Sequence, residues 1–255
     1  MGAHVGPRAG EASTEPARNG RPEAGKRSAH PASSFWRLWD KQVSRLDRNE
    51  RILATLLAAL AGYVDVIGFI EMGGFFVSFM SGNSTRMAVG LAEGSPDGLR
   101  AAGLIASFVV GVAAGSIVSQ LAGAKRRSIV LVLTSAMLAA AAILGGHPNA
   151  ALGMMLIAAA MGSTNSALDH AGEVRVALTY MTGTLVKFGQ FLALALLGKR
   201  PLGWMPYLLH WLALVIGALA GAAMHLAFGL SSLGVAFAAM LMLAAAAWRL
   251  PESTG

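Results

Sequence analysis

The chain has 255 residues, of which 55% are apolar and only 13% charged, and its mean hydropathy is +0.58. Soluble domains usually carry roughly 25% charged residues, so this composition indicates a protein embedded in lipid. The net charge of +7 does not indicate nucleic-acid binding, because the basic residues form no recognisable binding motif. Cysteine is absent, which excludes disulfides and thiolate metal sites.

The N-terminal part carries much of the charge, since ten Lys/Arg and six Asp/Glu lie in residues 1–51. Residues 1–33 are rich in Gly, Ala, Pro, Arg, Glu and Ser and are predicted to be a disordered basic arm. Residues 34–51 place aromatic and aliphatic side chains opposite basic ones, which predicts an amphipathic helix on an anionic membrane surface. An ordinary solvated helix is the alternative. We expect no cleavable signal peptide, because the first apolar segment begins only at Ile52.

Eight apolar segments follow, each about as long as a membrane crossing requires. They are 52–70, 75–92, 99–122, 128–145, 150–168, 174–198, 204–228 and 231–249. Backbone groups in lipid need partners within their own segment, so helices are expected; barrel strands would be shorter and would alternate in polarity. The predicted fold is an all-α, polytopic transmembrane helix bundle over residues 52–250.

The second half of this region resembles the first at an offset of about one hundred residues, which predicts two internal repeats, 52–145 and 150–250. The matched features occur in the same order in both halves. The run 78–83 (SFMSGN) matches 179–184 (TYMTGT), Arg86 matches Lys187, Gly62 and Asp65 match Gly162 and Asn165, and Gly111 and Gly115 match Gly217 and Gly221.

Two topologies fit this pattern. If all eight segments cross, the halves are parallel and the basic run 125–127 lies opposite the N-terminus, against the positive-inside rule. If the second segment of each repeat dips in and returns, six segments cross, the halves are inverted, and the basic loops share the cytoplasmic side with the arm. We favour the second topology, although 174–198 is long enough to cross unaided.

The runs 62–69 (GYVDVIGF) and 74–86 (GFFVSFMSGNSTR) resemble the YoaK-like family of bacterial inner-membrane proteins. The resemblance covers about 52–249 and excludes the arm. It implies a multi-span protein of the bacterial cytoplasmic membrane, and it supplies neither a substrate nor functional residues.

Three charged residues at membrane depth are candidates for a site. Asp65 lies inside an apolar segment, where a carboxylate usually faces a cavity, and it could bind a coupling ion or cap a broken helix. Arg86 and Lys187 occupy matching repeat positions and could bind an anionic solute. Alternatively, both could extend to the nearer membrane surface.

Hydroxyl and amide side chains cluster beside these charges. Ser81 and Asn83 in the first repeat, and Thr182 in the second, flank a glycine that weakens a helix, so both sites are plausible helix breaks. Paired breaks at equivalent positions point to a transporter site, and close packing of small residues is the alternative.

We therefore predict a secondary transporter or permease for a small solute with an anionic group, bound by Asp65, Ser81, Asn83, Arg86, Thr182 and Lys187. The alternative is a non-transporting scaffold or sensor that recruits a partner or lipid through the basic arm. No enzymatic activity, catalytic residue, metal or cofactor is predicted. The expected partners are the lipid bilayer and an unidentified solute, with no nucleic acid. The GxxxG pairs leave open whether helices pack within one chain or between two copies.

Overall fold

The computed structural model describes residue 2 and residues 48–145, 150–170, 173–174 and 180–249. The predicted arm 1–33 and residues 34–47 of the predicted interfacial helix lie outside the described residues. The described chain is mostly helical, with linkers between the helices and two paired two-residue strands, Asp169–His170 and Glu173–Val174, so the predicted helix bundle is confirmed. Its helices are α1 Arg48–Glu71, α2 Met80–Ala92, α3 Asp97–Ala122, α4 Arg126–Gly145, α5 Ala150–Thr164, α6 Met181–Leu196, α7 Met205–Phe228 and α8 Leu233–Arg249.

The helix ends follow from local sequence. Gly123 after α3 and Gly229 after α7 have φ values of 55° and 57°, a left-handed conformation that glycine adopts without steric cost. A 3-10 turn follows each glycine and leads directly into the next helix. α1 begins at Arg48, so the last four residues of the predicted interfacial element belong to the first apolar helix.

Four stretches of the described chain are long and apolar enough to cross a membrane: Arg48–Glu71, Asp97–Leu144, Ala151–Leu168 and Met205–Arg249. The second and fourth each contain two helices joined by a 3-10 turn, α3 with α4 and α7 with α8. These stretches therefore contain six helices, which we call the crossing helices. α6 is apolar but shorter, and α2 is outside the set.

Contacts between helix ends show how the crossing helices are oriented. At one end, Arg127 Nη2 in the first turn of α4 lies 2.6 Å from Glu50 Oε1 in the first turn of α1. Lys125 Nζ donates to the Trp248 carbonyl oxygen at 3.2 Å, so the start of α4 also lies beside the end of α8. α4 and α8 therefore run antiparallel. We call this the basic end, because among the described residues it carries Arg48, Arg51, Lys125, Arg126, Arg127, Lys199, Arg200 and Arg249.

The opposite end of the bundle holds the other helix termini. His225 Nε2 in the last turn of α7 lies 3.1 Å from Glu71 Oε1 at the end of α1. α1 and α7 are thus parallel, and both run away from the basic end. Since Glu71, Glu93 and Asp97 lie at this opposite end, we call it the acidic end.

The segment that contains α2 enters the bundle at the acidic end and leaves it at the same end. The segment that contains α6 enters and leaves at the basic end. α1 finishes at the acidic end and α3 starts there, so α2, which lies between them, does not change sides. α5 finishes toward the basic end, because it runs parallel to α3, and α7 starts at the basic end; α6 therefore returns as well. The geometry is that of six crossings with inverted halves.

The tight contacts between crossing helices occur twice. Gly217 of α7 lies against the backbone of Ala59 in α1, and Gly111 of α3 lies against the backbone of Ala159 in α5. A methyl group at either glycine would overlap the facing carbonyl oxygen. Each half thus contributes its first helix to the third helix of the other half, and the glycines permit this close approach.

Gly217→Ala and Gly111→Ala should each lower the stability of the bundle by about 1–3 kcal/mol, because the added methyl forces two backbones apart. Gly189→Ala is the control: Gly189 lies within α6 with open space around its Cα. That variant should be neutral or stabilising by up to about 1 kcal/mol, from higher helix propensity. Melting temperatures of the purified variants in detergent test this difference. Equal melting temperatures for all three would contradict the described packing.

Candidate functional site

The segment between α1 and α2, residues 72–79, descends into the bundle. Asp65 is 4% exposed and lies six residues before the end of α1, about 9 Å along the helix axis. Its Oδ1 accepts the backbone N–H groups of Val77 at 2.9 Å and Ser78 at 2.7 Å. The linker therefore reaches the depth of Asp65, and α2 begins there rather than at the acidic end.

Two α2 side chains hold the same linker. Asn83, which is fully buried, accepts the Phe76 N–H at 2.9 Å and donates to the Phe76 carbonyl oxygen at 2.6 Å. Arg86 Nη1 donates to the Gly74 carbonyl oxygen at 2.7 Å, and its guanidinium lies 4.2 Å from the centroid of the Phe75 ring. Asp65, Asn83 and Arg86 thus bind backbone of their own chain and fix the position of α2.

Arg86 also faces the acidic end. Its Nη2 lies 3.7 Å from Asp97 Oδ2 in the first turn of α3, with both side chains about one-third exposed. Arg100, one turn further along α3, donates to the same carboxylate at 3.1 Å. The Asp97 carboxylate is also stabilised by the helix dipole, because it lies in the first turn of α3.

The candidate residues of the second repeat lie on α6. Thr182 is exposed in its first turn, as Ser81 is in the first turn of α2. Lys187 Nζ lies 5.7 Å from the centroid of the Tyr207 ring, and Tyr207 is in the first turn of α7 near the basic end. Arg86 therefore lies toward the acidic end and Lys187 toward the basic end, so the structure does not bring them together.

The N-termini of α2 and α6 do come together. Met181, the first residue of α6, packs with Ala58 of α1 and Leu214 of α7, and Phe79, immediately before α2, packs against the same cluster. Ala58 and Leu214 lie about 15 Å along their helices from the basic end, near the middle of a hydrocarbon core of about 30 Å. We call this meeting point the central junction. Among the described residues, neither helix N-terminus has a side-chain cap.

Several of these features escaped the sequence reasoning. The linker residues Gly74, Phe75 and Phe76 are apolar or small and carry no chemical signal, although they receive the Asn83 and Arg86 side chains. Asp97 was not among the predicted site residues, although it lies in the first turn of α3 beside Arg86. The segment 169–173, which is polar in sequence, has no described side chains.

The fold and the central junction define a class: a polytopic α-helical membrane protein with inverted halves. Each half contains one helix, α2 or α6, that starts near mid-depth of the bundle, and we call these two the half-helices. The chain belongs to the family described as "Protein of unknown function (DUF1275)", whose model matches residues 53–247. The predicted resemblance to a family of bacterial multi-span membrane proteins agrees with this membership.

A relative supports the membrane assignment. The chain is 38% identical to the UPF0700 transmembrane protein RA0705 of Rhizobium meliloti (strain 1021) over 201 residues, which are 78% of this chain and 87% of that protein. No solved structure shows a significant match. The chain is thus an integral membrane protein with transmembrane helices.

Proposed function

We propose that the protein is a secondary transporter or permease for a small anionic solute, and that the solute binds at the central junction. One observation carries this proposal: two half-helices at equivalent positions of inverted halves meet with their N-termini at mid-depth of the bundle. Discontinuous helices of this kind form the substrate sites of many transporters.

The charge of the solute follows from the helix ends. An α-helix carries the equivalent of roughly +0.5 elementary charge at its N-terminus, from N–H groups without intrahelical partners. Both N-termini lie beside the buried apolar cluster of the central junction, a region of low dielectric where an anion would be stabilised. The exposed hydroxyls of Ser81 and Thr182, in the first turns of the two helices, would add directional hydrogen bonds.

Asp65, Asn83 and Arg86 have a positioning role in this account. Their hydrogen bonds to residues 74–78 set the depth and direction of α2, so they act on the solute through the helix end. Lys187 lies toward the basic end and would attract the anion toward that entrance.

The charge distribution supports an orientation. The basic end carries eight of the described Lys/Arg residues and Glu50, whereas the acidic end carries Glu71, Glu93 and Asp97 beside Arg86 and Arg100. By the positive-inside rule, the basic end and the N-terminus face the cytoplasm. The membrane in this proposal is the bacterial cytoplasmic membrane.

Anion-driven swelling of proteoliposomes tests the proposal. Vesicles containing the full chain are diluted into potassium chloride, nitrate, formate or phosphate with valinomycin and a protonophore, and light scattering reports swelling. Ser81→Trp and Thr182→Trp should each slow swelling by about tenfold or more, because the indole fills the central junction. Val89→Trp is the control, since Val89 is exposed on α2 two turns beyond Ser81.

Swelling that equals protein-free vesicles for every salt would refute the anion permease. The arm-dependent scaffold would then become the better account. Swelling that persists in both junction variants would instead place the permeation path elsewhere.

A further inference from the structure

We infer that the two half-helices are not equivalent: α2 is a fixed element, and α6 is the element that moves. The movement would open the central junction toward the basic end, a step that rests on the proposed function. The difference in mobility rests only on contacts of the described residues.

The fixed character of α2 comes from the three side chains that hold its linker. Asp65 of α1 accepts the N–H groups of Val77 and Ser78, Asn83 bonds the Phe76 backbone, and Arg86 donates to the Gly74 carbonyl oxygen. Displacement of α2 would break these hydrogen bonds, and breaking them is costly because Asp65 and Asn83 are buried, where the effective dielectric constant is low.

Two of the equivalent side chains of the second repeat, Asn165 and Thr184, bond elsewhere, and the third, Lys187, lies 5.7 Å from the centroid of the Tyr207 ring. Asn165, at the position of Asp65, donates its amide to the carbonyl oxygens of Met161 and Gly162 in the preceding helix. Thr184, at the position of Asn83, donates to the Tyr180 carbonyl oxygen one turn earlier in its own helix. None of these hydrogen bonds joins α6 to a neighbouring helix.

Packing shows the same difference. Gly90 near the end of α2 is buried against the backbone of Gly98 in α3, so closely that a methyl group would overlap the Gly98 nitrogen. Within α6, Met181 is buried, whereas Gly189 has open space around it. α6 packs mainly on α7, through the aromatic pairs Phe188–Trp204 and Phe191–Tyr207.

A mobile α6 and a fixed α2 would give the site one gate. α6 lies between the central junction and the basic end, so its displacement exposes the first turn of α2 to that end. Opening toward the basic end would therefore involve α6 and not α2, so the two halves would not move symmetrically.

Hydrogen–deuterium exchange of the full chain in nanodiscs tests this inference. Amides 185–196 of α6 should exchange at least about tenfold faster than amides 84–92 of α2, because local opening is easier where fewer buried contacts must break. Asp65→Asn gives the first repeat the residue type that the second repeat has at the equivalent position, Asn165. The exchange rate of α2 should then increase and approach the rate of α6. Asn165→Ala is the control and should leave α2 exchange unchanged.

Equal exchange of α2 and α6 in the unmodified chain would overturn the inference. Faster α2 exchange in Asn165→Ala than in Asp65→Asn would overturn it too. The exchange measurement needs no solute, so its outcome is separate from that of the swelling assay. If exchange is unequal but no salt causes swelling, the mobile half-helix remains and the permease proposal fails.

Discussion

Glu50→Ala should lower the stability of the bundle by about 3–5 kcal/mol, because it leaves the Arg127 guanidinium buried without its carboxylate. Both residues are 3% exposed, and their side chains are 2.6 Å apart. The pair joins the first turn of α1 to the first turn of α4 at the basic end. Unfolding by sodium dodecyl sulfate in mixed micelles would measure the change in free energy.

Two further variants separate the buried pair from a simple loss of charge. The double variant Glu50→Leu with Arg127→Met should recover most of the lost stability, since it removes both charges and keeps the volume. Glu71→Ala, at the other end of the same helix, should cost no more than about 1 kcal/mol, because Glu71 is 30% exposed. A cost for Glu50→Ala as small as that for Glu71→Ala would contradict the buried pair.

Asp65→Ala should destabilise the protein by about 2–6 kcal/mol, because two buried N–H groups, of Val77 and Ser78, each lose an acceptor at about 1–3 kcal/mol apiece. The linker 72–79 would lose its attachment to α1, so α2 should also become sensitive to protease in detergent. The melting temperature would measure the loss of stability, and limited proteolysis would measure the protease sensitivity of α2.

Asn165→Ala is the matched control, since it truncates the residue at the equivalent repeat position. The Asn165 amide donates to two carbonyl oxygens in the last turn of α5 and holds no linker backbone in these bonds, so its loss should cost under about 1.5 kcal/mol. A loss of stability as large as that of Asp65→Ala would show that the second repeat depends on this position equally.

The crossing helices were predictable from sequence because lipid forces every backbone group to bond within an apolar segment. The boundaries of α3, α4, α7 and α8 lie within two residues of the predicted ones for the same reason. The segments 75–92 and 174–198 were harder. Their apolar runs continue through residues 75–79 and 197–198, which precede α2 and follow α6, so hydropathy alone does not separate helix from linker.

The site was less predictable than the fold. Asp65, Asn83 and Arg86 were recognised as polar residues at membrane depth, but their partners are backbone groups of residues 74–78, and no side-chain pattern encodes a backbone partner. The separation of Arg86 from Lys187 depends on the inversion of the halves, which sequence similarity alone does not give. The pair of Glu50 and Arg127 was not predicted from sequence, because it depends on the start of α1 lying beside the start of α4 at the basic end.

The central claim is that α2 and α6 return to the side from which they enter, and thiol accessibility in intact cells tests it most directly. Cysteines replace Glu93, Lys125, Lys199 and Ser231 one at a time in this cysteine-free chain, and an impermeant maleimide is added from outside. Glu93→Cys should label like Ser231→Cys, and Lys125→Cys should be protected like Lys199→Cys. Labelling of Lys125→Cys together with protection of Glu93→Cys would mean eight crossings and parallel halves, and would contradict the account.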